Sequence, residues 1–267
     1  MDLYDDPVVV VTEGTSDLTY GGVDIAQYFR GWTITRSIMP PVSVDDLVIA
    51  GRDGAIPNGH RTEPLTLTLT GALNAHDRKT VEAIRQRLGR LLLPQFQKVD
   101  GRAQLYIGEH FEGDLGVEHY IYYDAIVKGS TDLDRAYAYP HVSIDFYVQD
   151  GYGYDGVLKE ATISSSTNLQ IGGNIITWPK IQVLTRTSGD FTITRTATVT
   201  GEKTRHITTP YQYTCTIDCE NESVLTSNNT PIEFDLDSDF FFLAPHRANM
   251  LSVSGGTAKI TWRERYV

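Results

Sequence analysis

The chain has 267 residues, of which 40% are hydrophobic and 21% are charged, and its formal net charge is −11. This composition is that of an ordinary folded protein and excludes an intrinsically disordered chain, which would be poorer in apolar residues. The length suits one large strand-rich domain or two domains of ordinary size. A surface this acidic repels phosphates and therefore disfavours nucleic-acid binding.

The N-terminal residues and the hydropathy pattern bear on where the protein resides. Residues 1–6 are acidic where a secretory signal peptide would be basic. No segment approaches the roughly 20 apolar residues that a membrane-spanning helix needs. We therefore expect a product that stays soluble in the cell that makes it. Cys215 and Cys219, four residues apart in a predicted strand, lie too far apart to bridge comfortably, so reduced thiols are the favoured interpretation and a disulfide is the alternative.

Two stretches of the first half alternate apolar and polar residues with a period of two. They are residues 65–70, with the sequence Leu-Thr-Leu-Thr-Leu-Thr, and residues 142–148, in which every second residue is apolar. This period places alternate side chains on opposite faces of a strand and predicts two half-buried β-strands.

One segment between these strands has helical spacing instead. Its apolar residues lie three or four positions apart, at Val81, Ile84, Leu88 and Leu91. Asn74 is the predicted N-cap and Pro94 ends the pattern, which gives a helix over about residues 75–93. A lone helix among strands is expected to cover one sheet and to expose its charged side chains, Arg78, Lys79, Glu82, Arg85 and Arg90.

A turn-rich stretch over residues 149–156, Gln-Asp-Gly-Tyr-Gly-Tyr-Asp-Gly, marks the predicted domain junction. It separates an N-terminal domain of residues 1–150 from a C-terminal domain of residues 151–267. The C-terminal half repeats the strand alternation without a helix, in residues 191–194, 213–217 and 232–236, and its final strand is predicted over about 257–267. The chain is therefore predicted to be mainly β.

A glycine motif at this junction lacks the context of a cofactor site. Gly151, Gly153 and Gly156 have the spacing of a dinucleotide-binding loop, but the residues that follow are rich in Ser and Thr and show no helical stripe. A pyrophosphate in such a loop is held by the N-terminus of a helix. A linker is the favoured interpretation, and we expect no cofactor.

Three aspartates, Asp235, Asp237 and Asp239, alternate like the first ligands of a calcium loop. Phe240 stands where such a loop needs Gly, and His246 stands where it needs a bidentate Glu. Solvated carboxylates are the favoured interpretation, with a weak oxygen-ligated cation site as the alternative. The seven histidines are scattered and no nucleophile motif occurs, so we expect no metal centre and no catalytic residues.

The order of elements along the chain resembles the distal tail protein family of siphophages that infect Gram-positive bacteria. In the first half, residues 32–40 lead into residues 47–54, then Arg61, the strand over 65–69 and the helix. At the other end, residues 241–245, Phe-Phe-Leu-Ala-Pro, are followed by Asn249 and by a last strand of basic and aromatic residues. One departure is His246-Arg247, because members of the family often carry Gly directly after this Pro.

The resemblance implies a structural protein and not an enzyme. The implied N-terminal domain is a β-sandwich or barrel-like domain with one covering helix, and the implied C-terminal domain is a galectin-like β-sandwich. The family assembles as a ring of six copies that joins the tail tube protein to the tail-associated tip protein, at the tail tip of the virion. DNA passes through the ring without specific binding, and no membrane is involved.

The same resemblance suggests which residues join neighbouring copies. An extended hairpin of the N-terminal domain forms the contact between subunits, and residues 48–61 correspond to it. The candidate residues are Val48, Arg52, Asp53, Gly54 and Arg61. An ordinary hairpin turn without this role is the alternative.

Two other classes of function stay open at this level. A galectin-like domain with Trp178, Tyr211 and Tyr213 could bind carbohydrate and serve as a host-receptor module on the tail tip. The histidine-containing stretch of galectin sugar sites is missing from the chain, which disfavours this interpretation. A cell-wall hydrolase is the third hypothesis, because two acids that flank a substrate need not be close in sequence.

Overall fold

The computed structural model describes residues 17–37, 39–48, 55–97, 101–112, 118–134, 139–187, 189–210 and 214–267. The chain divides into two units: the first ends at Gly153 and the second spans Tyr154–Tyr266. The prediction of a mainly β chain with one helix is confirmed, since strands dominate both units and the described residues contain one α-helix. That helix is too short and too polar to cross a membrane.

The first unit contains nine strands. They are β1 Thr19–Tyr20, β2 Val23–Asp24, β3 Phe29–Thr35, β4 Val42–Val48, β5 Ala55–Thr62, β6 Leu65–Leu73, β7 Ala103–Glu112, β8 Glu118–Asp134 and β9 His141–Val148. Seven of them form one antiparallel sheet in the order β2-β1-β7-β8-β9-β6-β3, and β4 pairs with β5 in a separate two-stranded sheet. Short 3₁₀ helices span Ala26–Tyr28 and Pro94–Phe96.

The centre of the large sheet is the pair β6 and β9, which carries the two alternating stretches. Their apolar residues lie opposite each other, so that Leu65 pairs with Val148, Leu67 with Phe146 and Leu69 with Ile144. All six side chains are buried. Because one face of each strand is apolar and the other is rich in Thr and charged residues, the register places every leucine in the core.

Helix α1 spans Arg78–Leu92, which corrects the predicted start near residue 75 and the predicted cap at Asn74. The backbone N–H of Asn74 still donates to Tyr28 O, at the end of the strand pairing. Asp77 is the N-cap instead, and its Oδ1 accepts a hydrogen bond of 2.9 Å from the Thr80 N–H. The helix buries Val81, Leu88 and Leu92.

The second unit is built from short strands. They are β10 Gly153–Asp155, β11 Lys159–Ile163, β12 Ser166–Leu169, β13 Lys180–Arg186, β14 Phe191–Thr196, β15 Arg205–Thr209, β16 Cys215–Asp218, β17 Ser223–Thr226, β18 Asn249–Ser254, β19 Gly256–Trp262 and β20 Arg265–Tyr266. They form a five-stranded sheet in the order β11-β19-β13-β16-β17 and a four-stranded sheet in the order β12-β18-β14-β15, while β10 pairs with β20.

The two larger sheets of this unit share one apolar core. Ile181, Ile217 and Ile260 contribute from the five-stranded sheet, and Ile193 and Leu251 contribute from the four-stranded sheet. Side chains of both sheets therefore meet in a single layer, which is the arrangement of a β-sandwich.

Two strand predictions for this unit need correction. Residues 232–236 alternate in sequence but form an irregular segment and not a strand. The predicted final strand over 257–267 is divided into β19 and β20 by Arg263 and Glu264, which lie in neither strand. Both cysteines are buried and free, Cys215 in β16 and Cys219 in the turn after it.

The break between β19 and β20 places the Glu264 carboxylate in the interior, where its side chain is only 4% exposed. Its Oε1 accepts from the Gly172 N–H at 2.7 Å and forms an ion pair of 2.9 Å with Lys159 Nζ. The Tyr266 hydroxyl donates to Oε2 at 3.1 Å. Burial alone would raise the pKa of Glu264, but these hydrogen bonds and the lysine charge outweigh it and lower the pKa.

We predict that Gly71→Ala destabilises the first unit. A Cβ at Gly71 would lie 2.7 Å from the Gly31 carbonyl oxygen and 2.8 Å from Phe29 Cδ1, so the paired strand must shift. The free energy of unfolding should be lower than that of the unaltered chain by about 1–3 kcal/mol. Urea titrations monitored by circular dichroism measure this difference. Gly31→Ala is the matched control, because a Cβ there meets nothing within 4 Å, and a loss of equal size in this variant would contradict the explanation.

We also predict that Glu264 makes stability depend on acid pH. A carboxyl whose folded-state pKa is lowered stabilises the fold above its ordinary value of 4.5 and loses this contribution as the pH falls through the folded-state pKa. Glu264→Gln should cost about 2 kcal/mol at pH 7 and flatten the loss of stability below pH 4.5. Urea unfolding followed by tryptophan fluorescence measures both, since Trp178 and Trp262 lie in this unit.

The control for this prediction is Glu160→Gln, which removes an acid of an exposed ion pair with Lys259. Its effect should stay within about 0.5 kcal/mol at neutral pH. An acid dependence of Glu264→Gln as steep as that of the unaltered chain would show that another group is responsible.

Candidate assembly site on the β4–β5 hairpin

Strands β4 and β5 form a hairpin that no other strand of the described chain extends. Their antiparallel register runs from Val42 opposite Thr62 to Val48 opposite Ala55. Between Asp45 and Asp46 the register shifts by one residue, so that β5 carries a bulge next to Pro57. Pro lacks a backbone N–H and occurs in sheets at edges and bulges, which agrees with this position.

The hairpin exposes three large apolar side chains. Val42 is 42% exposed, Val44 57% and Leu47 55%. Successive side chains of a strand point to opposite faces, so Val42 and Val44 share one face of β4 and Leu47 lies on the other. A two-stranded sheet has no room for a core of its own and is at best marginally stable alone. The hairpin therefore presents apolar groups that the described residues leave uncovered.

The base of the hairpin is fixed to the body of the first unit. The Glu63 N–H, just after β5, donates to the Pro41 carbonyl oxygen, just before β4, at 2.7 Å. This hydrogen bond holds the two ends of the hairpin together. Gly151, in the turn after β9, lies against this point with a φ of +74°. A Cβ at Gly151 would be 2.7 Å from the Glu63 carbonyl oxygen, so only glycine allows this close approach.

The charges on the hairpin are mostly acidic and exposed. Asp45 and Asp46 are exposed side chains at the bulge. Arg61 Nε and Glu63 Oε1 are 2.7 Å apart, and hydrogen bonds from Arg61 and Ser43 lower the pKa of Glu63. The same carboxylate raises the pKa of Arg61. Because this pair is solvated, it orients the two side chains and adds little stability.

Two of the five residues predicted for the contact between subunits lie in the described part of the hairpin, and the contact itself stays a prediction. Val48 ends β4 and Arg61 lies in β5, so both belong to the hairpin. Arg52, Asp53 and Gly54 lie outside the described residues. Val44 and Leu47 were not among the predicted contact residues, although the apolar alternation in residues 42–44 is visible in the sequence.

The other candidate sites do not gather into a centre of chemistry in the described residues. Gly151 and Gly153 belong to a turn and to β10, and a strand rather than a helix follows. Asp235, Asp237 and Asp239 are exposed, and Asp239 Oδ1 lies 3.3 Å from Arg205 Nη1. These positions match solvated carboxylates.

The aromatic residues that suggested carbohydrate binding are not seen together. Tyr211 and Tyr213 lie outside the described residues. Trp178 is half-buried and packs edge-on against Phe242, with ring centroids 5.6 Å apart. A ring used in this way contributes to packing, so Trp178 offers less free surface than a sugar-stacking platform needs.

The C-terminal sequence signature forms a turn that a buried side chain holds in place. The Asn249 amide oxygen accepts from the Ala244 N–H at 2.9 Å, and its nitrogen donates to the carbonyl oxygens of Ala244 and Leu169. Thr177 and Leu243 exchange two backbone hydrogen bonds beside it. His246 has a φ of +55°, a left-handed conformation that glycine adopts more readily than other residues.

Comparison with known proteins agrees with this architecture. Residues 172–266 match the family model of the siphovirus-type tail component, C-terminal domain. The solved structure of the Dit protein (gp 19.1) of phage SPP1, described as a paradigm of the hub adsorption apparatus in phages that infect Gram-positive bacteria, is similar with a TM-score of 0.72. The identity is 16%, and the match covers 94% of this chain and 98% of that one.

A second solved structure is less similar to the chain. The phage P2 baseplate, in its activated conformation with Ca, has a TM-score of 0.47 at 8% identity over 88% of this chain and 91% of that chain. No curated protein matches the chain in sequence. The resemblance to the siphophage distal tail proteins is confirmed to this extent: residues 172–266 match the C-terminal domain of the siphovirus-type tail component, and the chain has the fold of the SPP1 Dit protein.

Proposed function

We propose that this protein is a structural subunit of a phage tail and that six copies form a ring at the tail tip, joined through the β4–β5 hairpin. The ring would connect the tail tube protein on one side to the tail-associated tip protein on the other. The observation that carries the proposal is the hairpin itself. It leaves Val44 and Leu47 more than half exposed on a two-stranded sheet that no further described strand supports.

Physical chemistry favours a second copy as the partner that covers these groups. Apolar side chains gain free energy when another surface removes them from water, at about 25 cal/mol per Å². A contact in which one copy extends an arm onto a different surface of the next copy is heterologous, and such contacts generate rings when the rotation closes. The fixed base at Gly151 supports this role, because it gives every copy the same arm direction.

The charge of the chain is compatible with a ring through which DNA passes. With a net charge of −11, the surface repels phosphates on average, so DNA would move through without binding.

We further propose that the protein has no catalytic role and that it is made in the bacterial cytoplasm before it joins the virion. The solvated position of Asp235 and its neighbours supports the first statement, because catalytic acids are usually at least partly desolvated.

The test is the solution mass of the purified protein by size exclusion with light scattering across a concentration series. The unaltered chain should approach six copies as concentration rises. Val44→Asp and Leu47→Asp should each raise the concentration needed for assembly by about tenfold or more, because a charge replaces an apolar contact.

Val199→Asp is the matched control, since Val199 is 45% exposed but lies in the second unit. It should assemble like the unaltered chain. Equal assembly by all four proteins would show that the hairpin is not the contact. Binding of the unaltered chain to a glycan array would instead favour a receptor-binding module.

A further inference from the structure

Helix α1 carries a charge opposite to that of the rest of the chain. Its 15 residues include five basic side chains and one acidic side chain, which gives +4. Since the whole chain carries −11, the remainder carries −15. The basic residues are Arg78, Lys79, Arg85, Arg87 and Arg90, and the acid is Glu82.

Most of these cations have no acidic partner within the described residues. Glu82 forms an ion pair of 2.5 Å with Arg85. No described carboxylate forms an ion pair with the other four basic side chains of the helix, all of which are exposed. The helix therefore keeps a positive surface that the described residues of the first unit do not neutralise.

Two of these four cations, Lys79 and Arg90, lie on the side of the helix that faces away from the core. Taking 100° per residue, Lys79, Ala83 and Arg90 fall within about 40° of one another and are opposite the buried stripe of Val81 and Leu88. The small side chain of Ala83 leaves a shallow groove next to Lys79, Glu82 and Gln86. The depression is open to solvent and its cations are Arg78 and Lys79, while Arg90 lies two turns farther along the helix.

The order of charges along the helix is unfavourable for the isolated chain. Arg78 and Lys79 lie in the first turn, which contains no acid, at the positive end of the helix dipole. Arg87 and Arg90 are three residues apart and repel each other. Only Arg90, in the last turn, and the Glu82–Arg85 ion pair are locally favourable, and the other cations become favourable when an acidic surface approaches.

We propose that this face of α1 receives the β4–β5 hairpin of the next copy in the ring. The inference rests on the proposed function, because a heterologous contact needs an acceptor surface that differs from the arm. Val44 and Asp46 are exposed and lie on the same face of β4, so the hairpin can present both side chains to a single surface. Lys79 complements the Asp46 carboxylate, and Arg90 on the same face of the helix adds to the attraction. The depression at Ala83, with the aliphatic stem of Lys79, accepts Val44.

Charge exchange between the two surfaces tests this pairing. Lys79→Glu and Arg90→Glu, each alone, should raise the concentration needed for assembly by about fivefold or more, and Asp46→Lys should do the same. A chain with both Lys79→Glu and Asp46→Lys should return to within about twofold of the unaltered chain, because opposite charges face each other again. Light scattering across a concentration series in low salt measures all of them.

Two controls accompany the series. Lys203→Glu changes an exposed lysine of the second unit by the same charge and should leave assembly unchanged. Lys79→Glu places an acid in the first turn of α1, where it favours the helix, so a loss of assembly cannot come from an unwound helix. Circular dichroism of each variant checks that point.

The outcomes separate this inference from the proposed function. If the unaltered chain assembles but the helix variants assemble equally well, or if the doubly exchanged chain is not restored, α1 is not the acceptor and the hairpin proposal stands on its own variants. If the helix variants lose binding to a DNA oligonucleotide and keep assembly, the cations serve a polyanion and the inference is wrong. A chain that stays monomeric at every concentration contradicts both proposals.

Discussion

A strand at the edge of a sheet leaves one row of backbone N–H and C=O groups without partners, and this chain depends on how each edge is completed. In the second unit, an irregular segment completes two of them. The Asp235 and Asp239 N–H groups donate to β15, and the Ile232 N–H donates to Val224 in β17. In the first unit, the β4–β5 hairpin has no such cover among the described residues. The same requirement that the second unit meets within its own fold is left open at this hairpin, which is why we propose that another molecule meets it.

The distribution of charge leads to the same view of the first unit. An acidic protein of −11 repels its own copies at a distance, so a contact between copies needs a local exception. Helix α1 is such an exception, with four cations that no described acid neutralises. Hairpin and helix differ in both shape and charge, which is what a contact between unlike surfaces requires. The apolar groups supply affinity, and the charges set the register and the approach.

Much of this architecture could be predicted from the sequence where the period of the apolar residues determines the structure. Residues 65–70 and 142–148 pair as two central strands, because a period of two leaves only one register that buries every apolar group. The helix could also be predicted from the spacing of its apolar residues, which lie three or four positions apart. Its start was placed too early, because Asn74 and Asp77 are both good caps and only the strand pairing at Tyr28 decides between them.

The remaining features could not be predicted because they depend on distant parts of the chain. Residues 232–236 alternate like a strand, but they lie along the edge of β15 in an irregular path that Ser238 anchors through its hydroxyl. The exposure of Val44 and Leu47 follows from the absence of a third strand in their sheet, which is not a property of residues 42–48 themselves. The resemblance to a tail protein predicts a role for the hairpin, and the structure shows which side chains the hairpin exposes.

The contact at Gly151 has a geometric consequence for any closed assembly. Because a Cβ at Gly151 would lie against the Glu63 carbonyl oxygen, glycine at this position lets the base of the arm pack closely on the turn after β9. In a ring, the angle between arm and body sets how far each copy is rotated from the last, and hence the number of copies and the bore of the channel. A backbone contact without side chains would then help to set the diameter of the channel. The same glycine that allows the close packing at the base of the hairpin would keep that diameter uniform from one particle to the next.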